Sequence, residues 1–178
     1  MGPLWAIVAL RSMYELSSAF TRNINDPEDP NGAKSRTGFL LTFAEVPLLW
    51  KSVTQQLIAL SSAESEYIAL STGMRSLIHM RALLQEVCNK FNLSYGDRIS
   101  TISTVFEDNR ACKLLATTDP PRLTPRSKHI AIRYHWFRSH LGVKDGKGIV
   151  IKDVPSEQNR ADFLTKACAR AQFEVDTV

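Results

Sequence analysis

The stretch "STVFEDNRACKLL", Ser103–Leu115, joins a strand pattern to a helix pattern through two carboxylates, Glu107 and Asp108. Side chains alternate along a strand, so these two acids are expected on opposite faces. Asp108 is in phase with Ile102, Thr104 and Phe106. Glu107 is expected to face the other way and not to act as a ligand. Two explanations fit an acid at this point. Asp and Asn favour the N-cap of a helix, where the side chain accepts from orphaned backbone N–H groups. Alternatively, the carboxyl ends of strands are where α/β sites gather. Acids elsewhere in the chain have to decide.

Working outward, the element pattern is mixed. "NINDPEDPNGAKSRT", Asn23–Thr37, is rich in Pro, Asp and Gly and reads as a loop. "GFLLTFAE" from Gly38 reads as a strand, and "LLWKSVTQQLIAL" as one or two more. Ser61 followed by Glu64 makes a capping box. A long helix is then expected to about Asn89, on the spacing Tyr67, Leu70, Met74, Leu77, Ile78, Leu84. "RISTISTVFED" reads as a strand and "NRACKLLAT" as a short helix. A helix over Ser127–Leu141 would place Ile130, Tyr134, Phe137 and Leu141 on one face, with Gly142 stopping it. "KGIVIKDV" reads as a strand, and a last helix opens near "QNRADFLTK". The fold class is therefore α/β, a mixed central sheet of about five strands with helices packed on it.

The bulk numbers set bounds. A chain of 178 residues fits one domain with a real core. Hydrophobic content of 44% and charged content of 22% are those of an ordinary globular protein. A net charge of +4 leans towards anionic partners. Cys88, Cys112 and Cys168 are odd in number and scattered, which argues against a disulfide framework and for a reducing compartment. The apolar run Leu4–Leu10 is too short to span a membrane and has no basic residues before it. An intracellular location, cytoplasmic or nuclear rather than secreted, is expected.

Three acids stand at element ends. Glu66 is in phase with Leu70, Gly73 and Leu77 on the sheet-facing side of the long helix, where a lone carboxylate is costly. Glu64 has a structural task in the capping box. Asp108 ends the central strand. Asp162 opens the last helix, where Asn159 and Asp162 are also cap-like. Taken singly, an acid at an element end is more often structural than not, although Glu66 has no task like that of Glu64. Together they can converge at one sheet edge, where crowded carboxylates repel and call for cations. Hard oxygen donors favour Mg²⁺ or Mn²⁺. Two such ions clamping a phosphate is a device for in-line phosphodiester cleavage.

The segments "SSAESEYIALS", "FEDNRA", "RSKHIAIRYHWFRSHL" and "VPSEQNRADFLTK" resemble the ribonuclease H domain of copia-type long-terminal-repeat retrotransposon polyproteins. The resemblance runs from about Asp26 to Lys166, in family order and spacing. It implies the ribonuclease H-like fold, two Mg²⁺ (or Mn²⁺) ions and hydrolysis of the RNA strand of an RNA–DNA hybrid. It also implies a reverse transcriptase domain as partner in the parent polyprotein, and no membrane. The family's catalytic, metal-holding acids fall on Glu66, Asp108 and Asp162. On this reading residues 1–25 are an atypical segment with a degenerate first strand, 26–168 the ribonuclease H-like domain and 169–178 a C-terminal tail.

The pattern breaks at the first strand. The family has a carboxylate there, in a segment resembling "DADF", where this chain reads "ELSSAF", Glu15–Phe20. Aligning on Phe20 puts Ser17 on the first acid and Ala19 on the second. Glu15, the one candidate substitute, is displaced by two residues, roughly 6.8 Å along a strand, too far to bridge the ions without a register shift. Activity is expected to be impaired. The alternatives are a non-catalytic nucleic-acid-binding remnant or a domesticated interaction module.

From Arg122 to Lys147, basic residues stand against the single acid Asp145. A charge run of this kind can be only a solvated face. The stripe His129, Arg133, Trp136 and His140, extended by Arg126 and Lys128, instead suits a phosphate backbone and sugar faces. A zinc site from His129, His135 and His140 lacks a completing ligand. A hydrolase triad of Ser61 or Ser62 with His129 lacks the nucleophile-elbow glycines.

Overall fold

The structure, a computed structural model, describes residues 15–22, 34–43, 46–92, 102–118, 134–144 and 147–165. Six strands form one sheet in the order β3-β2-β1-β4-β6-β5. The strands are β1 (Glu15–Arg22), β2 (Ser35–Phe43), β3 (Val46–Thr54), β4 (Ile102–Glu107), β5 (Gly142–Lys144) and β6 (Lys147–Asp153). β1, β2 and β3 form an antiparallel meander. β4 lies parallel to both β1 and β6, and β5 closes the far edge antiparallel to β6. Among the described residues the α-helices are α1 (Ser62–Lys90) and α2 (Arg110–Thr117).

The core explains why α1 lies on this sheet. Tyr67, Leu70, Met74 and Leu77 recur at helical spacing and are fully buried. They pack with Phe39 and Leu41 of β2, Val105 of β4, Cys112 and Ala116 of α2, and Ile149 and Ile151 of β6. Fully burying one such side chain is worth roughly 1.5–3 kcal/mol. Glu66 is one residue before this stripe, so the packing that seats the helix also fixes where its carboxylate goes.

Several expected elements differ in detail. Among the described residues the sheet has six strands, because a three-residue β5 begins at Gly142. Gly142 has φ +98°, a conformation that favours glycine, and it turns the chain into β5. The α-helix expected over Ser127–Leu141 is a 3-10 segment, His135–His140, in its described part; residues 119–133 lie outside the described residues. The apolar spacing was sound, since Phe137 is buried and Tyr134 and Leu141 pack on the core. A spacing of three or four over so short a run does not separate an α from a 3-10 turn. The last helix is likewise two 3-10 turns, Ser156–Gln158 and Asp162–Leu164, as far as Thr165.

The turn carrying Asp162 is pressed onto the sheet at Gly38. A Cβ there would lie 2.5 Å from Thr165 Cγ2 and 3.0 Å from Leu164 Cβ. Ser52 of β3 donates to the Leu164 carbonyl at 2.5 Å. Gly38→Ala is therefore expected to destabilise the fold by about 1–3 kcal/mol through overpacking. Urea unfolding measures this, and an unchanged midpoint would contradict the close approach.

Candidate metal centre

The first functional side chain is set by the helix start. Ser61 is the N-cap of α1, extended at φ −149° and ψ 163°, and its Oγ accepts from Glu64 N at 3.2 Å. Glu64 Oε2 turns back to accept from Leu60 N at 2.7 Å. That reciprocal cap fixes the helix register and accounts for Glu64. Glu66, two residues on, is 6% exposed and faces the end of β4.

At the end of β4 the helix cap is taken by a residue other than Asp108. The N-cap of α2 is Asn109, not Asp108: Asn109 Oδ1 accepts from Cys112 N at 3.0 Å. Asp108 lies between strand and cap, with Oδ2 accepting from Ser156 Oγ at 2.8 Å. Its Oδ1 is shielded from solvent and accepts no hydrogen bond.

Asp108 departs from the alternation argument, whereas Glu107 obeys it. Glu107 is the last residue of β4 and fully buried, following Val105 on the face that α1 covers. Its Oε1 accepts from Asn109 N at 3.1 Å, and its carbonyl accepts from Val154 N at 3.2 Å. Alternation places a residue only while the strand continues, and β4 stops at Glu107. Asp108 can therefore swing to the same side. One carboxylate oxygen each from Glu66, Glu107 and Asp108 lies within 4.8 Å of the others. Among the described residues this is the only group of three or more His, Cys, Asp and Glu side chains so placed.

The electrostatics agree with that crowding. Burial pushes the Cys112 thiol well above its ordinary pKa, and the neighbouring Glu107 and Glu66 carboxylates push it further. The thiol is therefore kept protonated under the acids. An all-oxygen donor set fits a hard divalent cation, and the shielded, unbonded Asp108 Oδ1 fits one as well.

Asp162 is buried, 8% exposed, at the start of its 3-10 turn, and its N–H donates to Asn159 O at 3.0 Å. It stands outside the three-acid group. "ELSSAF" does form a strand, β1, in the centre of the sheet. Ser17 pairs with Leu40 on one side and Phe106 on the other. Glu15 pairs with Thr104, two positions further from the carboxyl end of β4.

Of the expected binding residues, Arg126, Lys128, His129 and Arg133 lie outside the described residues. Trp136 is 37% exposed, donates from Nε1 to Ser71 Oγ at 2.9 Å, and has the Arg75 guanidinium 5.9 Å from its ring centroid. Arg75 had no signal in the sequence beyond its place on α1. Arg138 is committed to structure, donating to the carbonyls of Leu115 and Thr118 at the end of α2. His135 Nδ1 bonds the Tyr67 hydroxyl, and burial pushes that phenol's pKa upward, so it remains a donor.

No protein-family model matches the chain. It is 32% identical over 149 residues to the retrovirus-related Pol polyprotein of transposon TNT 1-94 from Nicotiana tabacum, covering 83% of this chain and 10% of that protein. It is 28% identical over 146 residues to the Pol polyprotein of transposon RE1 from Arabidopsis thaliana, covering 82% of this chain and 9% of that one. The chain thus spans about a tenth of the relatives it matches. Among solved structures, the N-terminal RNase H domain of a Mycobacterium tuberculosis protein matches with TM-score 0.53 and 12% identity, over 92% of this chain and 95% of that one. An RNase H1 isolated from compost matches with TM-score 0.56 and 16% identity, over 87% and 93%. The fold is that of ribonuclease H. The chain belongs to the retrotransposon Pol polyproteins, as a ribonuclease H-type domain of the copia type.

Two predictions follow from this geometry. Asp108→Asn removes one of the crowded charges, so it should raise the metal-free melting temperature and abolish stabilisation by Mg²⁺. Thermal melts with and without Mg²⁺ test it; a metal-free loss of about 1 kcal/mol or more would mark Asp108 as structural. The second concerns His135, whose pKa is lowered from 6.5 by burial and then by Arg138. The fold prefers the neutral ring, so this contribution to stability is full above the unfolded value of 6.5 and is lost as pH falls below it. Melting curves across that range should flatten in His135→Asn, and an unchanged slope would contradict the assignment.

Proposed function

We propose that this domain holds divalent metal at the end of β4 and acts, slowly, on the RNA strand of an RNA–DNA hybrid. The observation that carries the reading is the convergence of Glu66 from α1 with Asp108 beyond β4, inside a ribonuclease H fold. Glu66 and Asp108 would hold Mg²⁺ or Mn²⁺, with Asp162 completing the set from the last turn. When bound, such ions supply charge neutralisation at a phosphate and a more acidic water.

The chain's own residues supply positioning. α1 presents Glu66 from a capped, buried first turn, so the carboxylate arrives without a flexible search. The Ser156 hydroxyl orients Asp108 through Oδ2. Arg75 and Trp136 offer a cation beside a half-exposed ring, suited to a phosphate and a sugar face. Arg126, Lys128, His129 and Arg133 would extend that contact along the backbone. The reverse transcriptase region of a Pol polyprotein would be the natural neighbour of such a domain.

Ser17 supports the second reading, a non-catalytic nucleic-acid-binding remnant. A hydroxyl on the central strand replaces the family's first carboxylate, and serine is a poor partner for Mg²⁺ beside acids. Loss of one electrostatic stabiliser at an active site commonly costs ~10²–10³ in rate. Ser17→Asp should recover a gain of that order, and Glu15→Asp should recover nothing. The assay is cleavage of a labelled hybrid by the three proteins in Mg²⁺ and in Mn²⁺. Fast cutting by the unaltered chain would contradict the impairment. Binding without cutting in every variant would favour the remnant.

A further inference from the structure

We infer that Glu107 is a metal ligand of this site, supplying from the end of β4 the negative charge that the first strand lacks at Ser17. The inference rests on the metal-holding reading above and goes beyond it by adding a residue from outside the family pattern. Three observations carry it. Glu107 is fully buried, and one of its oxygens lies within 4.8 Å of oxygens of both Glu66 and Asp108. The site position on β1 is occupied by Ser17, whose register partner on β4 is Phe106, the residue before Glu107. Glu107 thus lies on the strand beside Ser17, one position past its register partner. Finally, Asp108 Oδ1 is shielded and accepts no hydrogen bond, which points to a cation beside it rather than to a self-contained polar cluster.

The competing role for Glu107 is structural. Its Oε1 accepts from Asn109 N at 3.1 Å and so supports the cap of α2. The Cys112 thiol also hydrogen-bonds to the Glu107 carboxylate; a carboxylate has about four acceptor positions, so these bonds leave capacity for a metal. The two roles separate experimentally. A purely structural Glu107 lowers metal-free stability when replaced and leaves metal affinity alone. A ligand lowers metal affinity.

The test is calorimetric titration of Mn²⁺ into the full chain without nucleic acid, for the unaltered protein, Glu107→Gln, and Glu107→Gln with Ser17→Asp. Glu107→Gln should weaken Mn²⁺ at least about tenfold, and Ser17→Asp should restore most of the loss. Should Glu107→Gln fail to fold, carbon-13 spectra of the unaltered chain decide: Mg²⁺ must shift the Glu107 carboxyl carbon along with those of Glu66 and Asp108. Unchanged Mn²⁺ affinity in Glu107→Gln, or a Glu107 carbon that Mg²⁺ does not move, overturns the inference. Metal bound through Glu107 with no binding or cleavage of a hybrid would instead overturn the proposed function and leave the ligand standing.

Discussion

Like charges packed at the buried end of β4 are the constraint around which this domain is arranged. Glu66, Glu107 and Asp108 bring carboxylate oxygens within 4.8 Å of one another, Glu66 and Glu107 buried and Asp108 half-buried. Burying one ionised carboxylate is already expensive, and crowding several adds repulsion that grows as the local dielectric falls. A fold keeps such an arrangement only if the rest of the structure holds it in place. Here the surrounding apolar packing does so. Tyr67, Leu70, Met74 and Leu77 clamp α1 onto Phe39 and Leu41 of β2 and Val105 of β4; Glu66 rides on α1, Glu107 ends β4 and Asp108 follows it.

The supports are spread over the sheet. The Ser61–Glu64 cap sets the register of α1. Asn109 caps α2, which leaves Asp108 available for another role. Gly38 allows the last turn to lie against β2, and that turn carries Asp162. Tyr67 is both a core residue and the partner of His135, so the 3-10 segment bearing Trp136 is tied to the helix bearing Glu66. Through Ser71 and Arg75, the same helix also holds the indole of Trp136.

Much of this could be read from the residues. The stripe of α1, its cap and the acid Glu66 follow from spacing alone, because a long helix repeats its period enough times to be unambiguous. The strand ending in acid was legible too, and β1 forms where "ELSSAF" stands. What failed were inferences that needed an element to continue. Alternation sent Glu107 away from Asp108, yet β4 ends between them. The apolar repeat Tyr134, Phe137, Leu141 looked α-helical, yet a run of about two turns serves a 3-10 segment equally well. The role of Asn109 had a signal, an Asn three residues before Cys112, but the neighbouring Asp competed for it. Gly38 had none, because the residues that crowd it are distant in sequence.

The central claim is that the acids at the end of β4 hold divalent metal. Anomalous diffraction from crystals soaked in Mn²⁺ tests it most directly. The account predicts a strong peak within ligand distance of Glu66 and Asp108. An acid cluster without a peak at saturating Mn²⁺, in a chain otherwise folded as described, would contradict it.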